Sequence, residues 1–81
     1  MNKEFQLNII SPEKKIFSGQ VSSLVAPGAI GKFGVYPDHA HMISPLKKGI
    51  LTYVVKGEEK TLVVEGGIAE INNNIVTICI A

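Results

Sequence analysis

Apolar and polar residues alternate with a period of two along most of this chain, the spacing at which successive side chains point to opposite faces of a pleated strand. Residues 5–9, F-Q-L-N-I, alternate strictly; Ser11-Pro12-Glu13 then supplies a turn, and extended structure resumes at Lys15-Ile16-Phe17 and again from Val21 to Val25. Pro27-Gly28 ends that run, and the roughly thirty residues beyond it hold too many Gly and Pro for a helix of ordinary length. The segment I-L-T-Y-V-V-K-G-E-E-K-T-L-V-V predicts a hairpin turning at Gly57-Glu58, with Gly supplying the positive φ. Pairing outward from that turn sets Lys56 against Glu59, Val54 against Thr61, Tyr53 against Leu62 and Leu51 against Val64. In this register one face collects Leu51, Tyr53, Leu62 and Val64 as core, and the tip gains an opposite-charge cross-strand pair.

A second hairpin is predicted from Ile68 to Ile71, through Asn72-Asn73-Asn74, to Ile75–Ile80, because asparagine tolerates the left-handed backbone a tight turn needs. Its last strand is apolar on both faces, with Ile75, Thr77 and Cys79 on one and Val76, Ile78 and Ile80 on the other. That pattern predicts a central strand covered on both sides, with Cys79 as a small buried hydrophobe. Short strands with a turn signal about every ten residues make the chain one all-β domain spanning residues 1–81, a β-sandwich or flattened barrel.

Composition agrees with a small folded domain and narrows its chemistry. Of the 81 residues 46% are hydrophobic and 19% charged, and the net charge is +1. There is no arginine, and no basic run exceeds the Lys14-Lys15 and Lys47-Lys48 pairs, so the chain has no electrostatic footprint for nucleic acid. The single cysteine excludes an internal disulfide and a cysteine-rich metal site, which favours a reducing compartment. No stretch reaches the ~18–20 apolar residues that cross a bilayer, so membrane association is expected only through a partner.

The candidate chemistry lies in Asp38-His39-Ala40-His41. Two histidines at i and i+2 on an extended segment share a face and suit zinc, but a catalytic zinc takes three protein ligands. No third histidine exists, and Asp38 would point the other way. Neither Ser11 nor Ser44 sits in a G-x-S-x-G turn that would mark a nucleophile. The glycines of G-A-I-G-K-F-G miss the Walker spacing, and no helix follows them. Lys56 lies at a hairpin as the lysine of a lipoyl or biotinyl carrier does, but V-K-G-E-E lacks their D-K or M-K-M context. A small independent β domain that binds a metal or carries a lysine-linked cofactor is therefore the alternative reading, and no cofactor is expected on the leading one.

The leading reading comes from an ordered set of motifs: I-I-S-P-E, I-F-S-G-Q-V, V-A-P-G-A-I-G-K-F-G-V-Y-P-D-H-A, K-K-G at 47–49 and V-E-G-G-I-A-E-I-N-N-N-I-V-T-I. In order and spacing these resemble T-P-E, F-x-G-x-V, A-P-G-x-x-G-E-F-G-V-L-P-G-H-A-P, P-G and G-G-F-x-E-V-x-x-N-x-V-T. Those are motifs of the N-terminal domain of epsilon subunits of F-type ATP synthases, called delta in mitochondria. The resemblance spans nearly the whole chain and implies a β-sandwich of about ten short strands. It also implies a non-catalytic rotor subunit at the foot of the central stalk, binding the gamma subunit and the c ring and coupling proton-driven rotation to ATP synthesis. The implied location is peripheral, at the cytoplasmic face of the plasma membrane or its organellar equivalent.

Carried over by position, Ser11, His39 and Ser44 match the side toward gamma, where Met42 and Ile43 add apolar area. Gly31, Lys32 and Phe33 match the loop toward the c ring. Pro37 is expected to stiffen the His39 loop, and Gly31 and Gly34 to let its backbone lie against another chain. Three departures stand out. Lys32 replaces the family's usual Glu, P-D-H-A-H replaces P-G-H-A-P, and the sequence stops at Ala81 where most bacterial relatives continue into a two-helix hairpin, so no C-terminal helical domain is expected here.

Overall fold

The computed structural model describes residues 3–81. Nine strands run in chain order: β1 Phe5–Ile10, β2 Lys15–Val21, β3 Ser23–Pro27, β4 Lys32–Val35, β5 Met42–Leu46, β6 Gly49–Val55, β7 Glu58–Val64, β8 Gly67–Asn72 and β9 Ile75–Ile80. They form a five-stranded sheet of order β2-β1-β9-β8-β5 and a four-stranded sheet of order β4-β3-β6-β7. The strand count among the described residues is thus nine where the resemblance implied about ten.

The two sheets pack face to face because each strand buries one side of its alternation. Phe5, Leu7 and Ile9 of β1 point inward with Ala69, Ile71, Val76 and Ile78, and meet Leu24, Leu51, Tyr53 and Val64 of the opposing sheet. The Phe17 and Tyr53 rings close the core near β2, their centroids 4.8 Å apart. The sandwich is joined at two corners. Val21 still pairs with Phe5 while Ser23 already pairs with Val54, so the chain changes sheets at Ser22, whose N–H donates to the Val54 carbonyl at 3.0 Å. At the other corner Ala29 N–H donates to Pro45 O at 3.0 Å and Lys47 N–H to Pro27 O at 2.9 Å. These bonds carry the pattern of β3 across to β5, which gives the sandwich its flattened-barrel character.

The first hairpin is present with a different turn. Leu51 pairs with Leu62 and Val55 with Glu58, so the central turn residues are Lys56 and Gly57, at φ 50° and 80°. Positive φ at both positions is the type I′ geometry, whose twist matches the flanking strands; the sequence pattern had placed it one residue later. The slip moves every partner by two, an even number, and so keeps the inward face. It abolishes the expected Lys56–Glu59 pair, and the ion pair at this tip is Lys60–Glu58 at 3.4 Å, on exposed side chains. Leu51, Tyr53 and Val64 are buried as expected, but Leu62 is only half-buried because β7 is the edge strand of its sheet.

β9 is central as expected, between β8 and, in parallel, β1. It is covered on one face only. Val76 and Ile78 are fully buried, whereas Ile75 is 48% exposed and Cys79 is exposed, so Cys79 is not a core residue. Apolarity on both faces therefore reports something other than a second core.

Candidate functional site

The outward side of the five-stranded sheet divides into two halves. Over β1 and β2 it is polar and internally bonded: Gln20 donates to Gln6 at 2.9 Å, Gln6 to Asn8 and Ser18 at 3.0 and 3.1 Å, and Ser18 to Asn8 at 2.8 Å. Over β5, β8 and β9 it is mainly apolar, interrupted by Glu70, Asn72 and Thr77. Register places Pro45, Ile68 and Cys79 in one row, with Ile10 beyond them on β1, and Ile43, Glu70 and Thr77 in the next. Ile43 and Ile68 are 63% and 52% exposed, so this half presents branched side chains to solvent on a rigid sheet.

His39 and Ser11 border this face at opposite ends. Ser11 follows β1 and is committed to a local turn: its N–H donates to Lys14 O at 2.9 Å, and its hydroxyl accepts from Lys14 N–H at 3.3 Å. His39 lies in the β4–β5 connection, half-buried, where Nδ1 donates to the Ala40 carbonyl at 2.7 Å. That bond leaves the neutral imidazole presenting Nε2 as an acceptor. Asp38 stands at φ 65°, a left-handed conformation that aspartate tolerates and glycine adopts most freely. Its N–H donates to Asn74 Oδ1 at 2.6 Å, and Asn74 Nδ2 donates back to its carboxylate at 3.0 Å. Asp38, His39, Ala40 and His41 line a polar hollow of about 350 Å³ with Asn73 and Asn74. Among the described residues no group of three or more His, Cys, Asp or Glu side chains is gathered as a metal site.

β5 separates residues that the sequence had grouped. Strand alternation sends Ile43 outward to the apolar face but turns Met42 and Ser44 to the other side. There they join Gly31, Lys32 and Phe33 around a crevice of about 430 Å³, between β5 and the Gly28–Phe33 segment. Ile30 stands fully exposed on the rim, and Lys32 is exposed beside it. Gly31 has open space around it, as a contact loop requires. Gly34 does not: a Cβ there would lie 3.2 Å from the Tyr36 ring, so its small size serves packing within the chain. Lys56 sits exposed at the tip of the β6–β7 hairpin, away from both loops.

A β-sandwich with a partly apolar, exposed sheet face, bordered by the Ser11 turn and the His39 loop, has the kind of surface that protein interfaces use. The model of the ATP synthase delta/epsilon chain β-sandwich domain matches residues 4–81, and the chain belongs to that family. It is 45% identical over 76 residues to the ATP synthase epsilon chain of Leptospira interrogans, covering 93% of this chain and 59% of that one. To the epsilon chain of Pelotomaculum thermopropionicum it is 43% identical over 77 residues, covering 95% and 58%. The chain thus spans less than two thirds of the length of these curated relatives. In fold it matches a chain of the Euglena gracilis mitochondrial ATP synthase OSCP/F1/c-ring assembly with a TM-score of 0.92 at 23% identity, covering 99% of this chain and 52% of that one. A chain of the Tetrahymena thermophila mitochondrial ATP synthase central stalk and c ring matches with a TM-score of 0.78 at 16% identity, covering 93% and 61%.

Proposed function

We propose that the chain acts as a non-catalytic rotor element of an F-type ATP synthase, seated in the central stalk between the gamma subunit and the c ring. The apolar half of the five-stranded sheet lies on gamma, with Ile43 in its body and His39 and Ser11 at its two ends. Gly31, Lys32 and Phe33, where the turn after β3 runs into β4, meet the c ring, and Met42 and Ser44 belong with this second contact because they line the crevice beside it. In that position the domain turns with the stalk and transmits proton-driven rotation toward ATP synthesis; it is held at the membrane by its partners alone, at the cytoplasmic face or its organellar equivalent. The observation that carries this reading is the exposed, rigid row of Pro45, Ile68 and Cys79 beside Ile43, a surface whose desolvation drives association.

Titration calorimetry against purified gamma subunit tests it. Ile68→Asp puts a charge in the centre of the row without touching the core, and should weaken binding at least about tenfold. Val63→Asp, on the outer face of the other sheet and 66% exposed, should bind as the parent does. The reverse pattern would move the gamma contact to the four-stranded sheet.

A further inference from the structure

Among three consecutive asparagines, Asn74 alone ties separate parts of the chain together. Asn73 and Asn74 form the β8–β9 turn with φ 47° and 61°, again the type I′ geometry, in which glycine is the preferred second residue. Turn chemistry by itself therefore favours glycine at position 74. Asn74 instead uses its backbone and both polar atoms of its side chain. Its carbonyl accepts from the Gln6 N–H of β1 at 2.9 Å, Oδ1 accepts from the Asp38 N–H at 2.6 Å, and Nδ2 donates to the Asp38 carboxylate at 3.0 Å. The last two bonds join residues 36 positions apart and fasten the β4–β5 connection at the residue before His39. Asp38, at φ 65°, tolerates this backbone less freely than a glycine would, and the two bonds help to hold it there.

We propose that Asn74 is a positioning residue for the gamma contact: through Asp38 it holds the His39–His41 segment in the conformation that binds. This rests on the rotor reading above. Binding by a mobile loop loses affinity to the entropy of ordering it, and a paired amide and carboxylate, charge-assisted and anchored on the sheet, removes that cost in advance. Asp38 and Asn74 act as one unit, with aspartate on the loop and asparagine on the turn.

The test exploits that reciprocity in the full 81-residue chain, with amide hydrogen exchange and titration against purified gamma subunit read on the same samples. Asn74→Asp keeps a residue that tolerates left-handed φ but sets two carboxylates against each other. Repulsion between the two carboxylates should push the loop from the turn, so the Asp38 amide should exchange at least about tenfold faster and gamma affinity should fall about tenfold, the order expected for losing the one charge-assisted bond from Asn74 Nδ2. The exchanged pair, Asp38→Asn with Asn74→Asp, again sets one amide against one carboxylate with the donors reversed, and should restore both readouts. Unchanged exchange in Asn74→Asp, or an exchanged pair as impaired as the single variant, would overturn the clamp. Faster exchange with unchanged gamma affinity would overturn the positioning role and leave the rotor reading to the Ile68→Asp measurement.

Discussion

Leu51→Ala and Leu62→Ala should differ in cost although the two residues face each other across one hairpin. Leu51 is fully buried on β6, with β3 on one side and β7 on the other. Removing its side chain forfeits the transfer energy of three carbons and leaves a cavity that two flanking strands prevent from closing, about 2.5–4 kcal/mol in total. Leu62 lies on the edge strand, half-buried, where solvent reaches part of the side chain and the neighbours can relax. Its truncation should cost about 1–2 kcal/mol. Scaled by length, the whole domain has roughly 4–12 kcal/mol of stability, so the first variant sits near its limit and the second does not. Urea unfolding followed by circular dichroism measures both. With a slope of about 1 kcal/mol/M for so small a chain, the Leu51 midpoint should fall by roughly 2.5–4 M and the Leu62 midpoint by 1–2 M. Equal losses, or a larger loss at Leu62, would refute the hairpin register and the assignment of β7 as an edge.

Lys56→Asn should raise stability by about 0.5 kcal/mol and the melting temperature by roughly 2–4 °C, because asparagine occupies the first left-handed position of a type I′ turn more readily than lysine; a scanning calorimeter decides it, and a lower melting temperature would place the turn elsewhere. Lys32→Glu should leave the melting temperature unchanged but alter docking on isolated c ring in a salt-dependent way, weakening it at low ionic strength if the ring presents acid; identical docking at low and high salt would remove Lys32 from that contact.

The alternation of residues 5–9 and of the two hairpins was legible in the sequence because period and turn chemistry are local. Even the misplaced turn at Gly57-Glu58 did no harm to the faces, since a two-residue slip preserves parity. What the pattern did not reveal was which strand lies at an edge and which face looks outward. Leu62 and Cys79 were therefore expected to be buried, and the half-exposed Leu62 and exposed Cys79 follow from sheet order alone. The apolarity of β9 on both faces was real information about a surface, misread as information about a core. For the candidate site, the sequence offers residues but not their arrangement. Met42, Ile43 and Ser44 are adjacent in sequence and divided by the pleat, and the pairing of Asp38 with Asn74 has no local signature at all.

The place of β9 also governs how the chain comes to be folded. Its parallel pairing with β1 joins the earliest strand to the latest, from Gln6 with Ile75 to Ile10 with Cys79, a ladder of very high contact order. During synthesis β1 is complete while its central neighbour is still unmade, and at ordinary elongation rates it waits roughly 3–13 s for that neighbour. Until then the five-stranded sheet lacks its middle, and the Phe5, Leu7 and Ile9 side chains have no finished core to enter. The core of this domain is therefore closed in one late step, once β9 has been made. A ribosome stalled short of Ile75 would display β1 paired with β2 on one side only, its other edge open, the kind of segment that chaperones and proteases recognise.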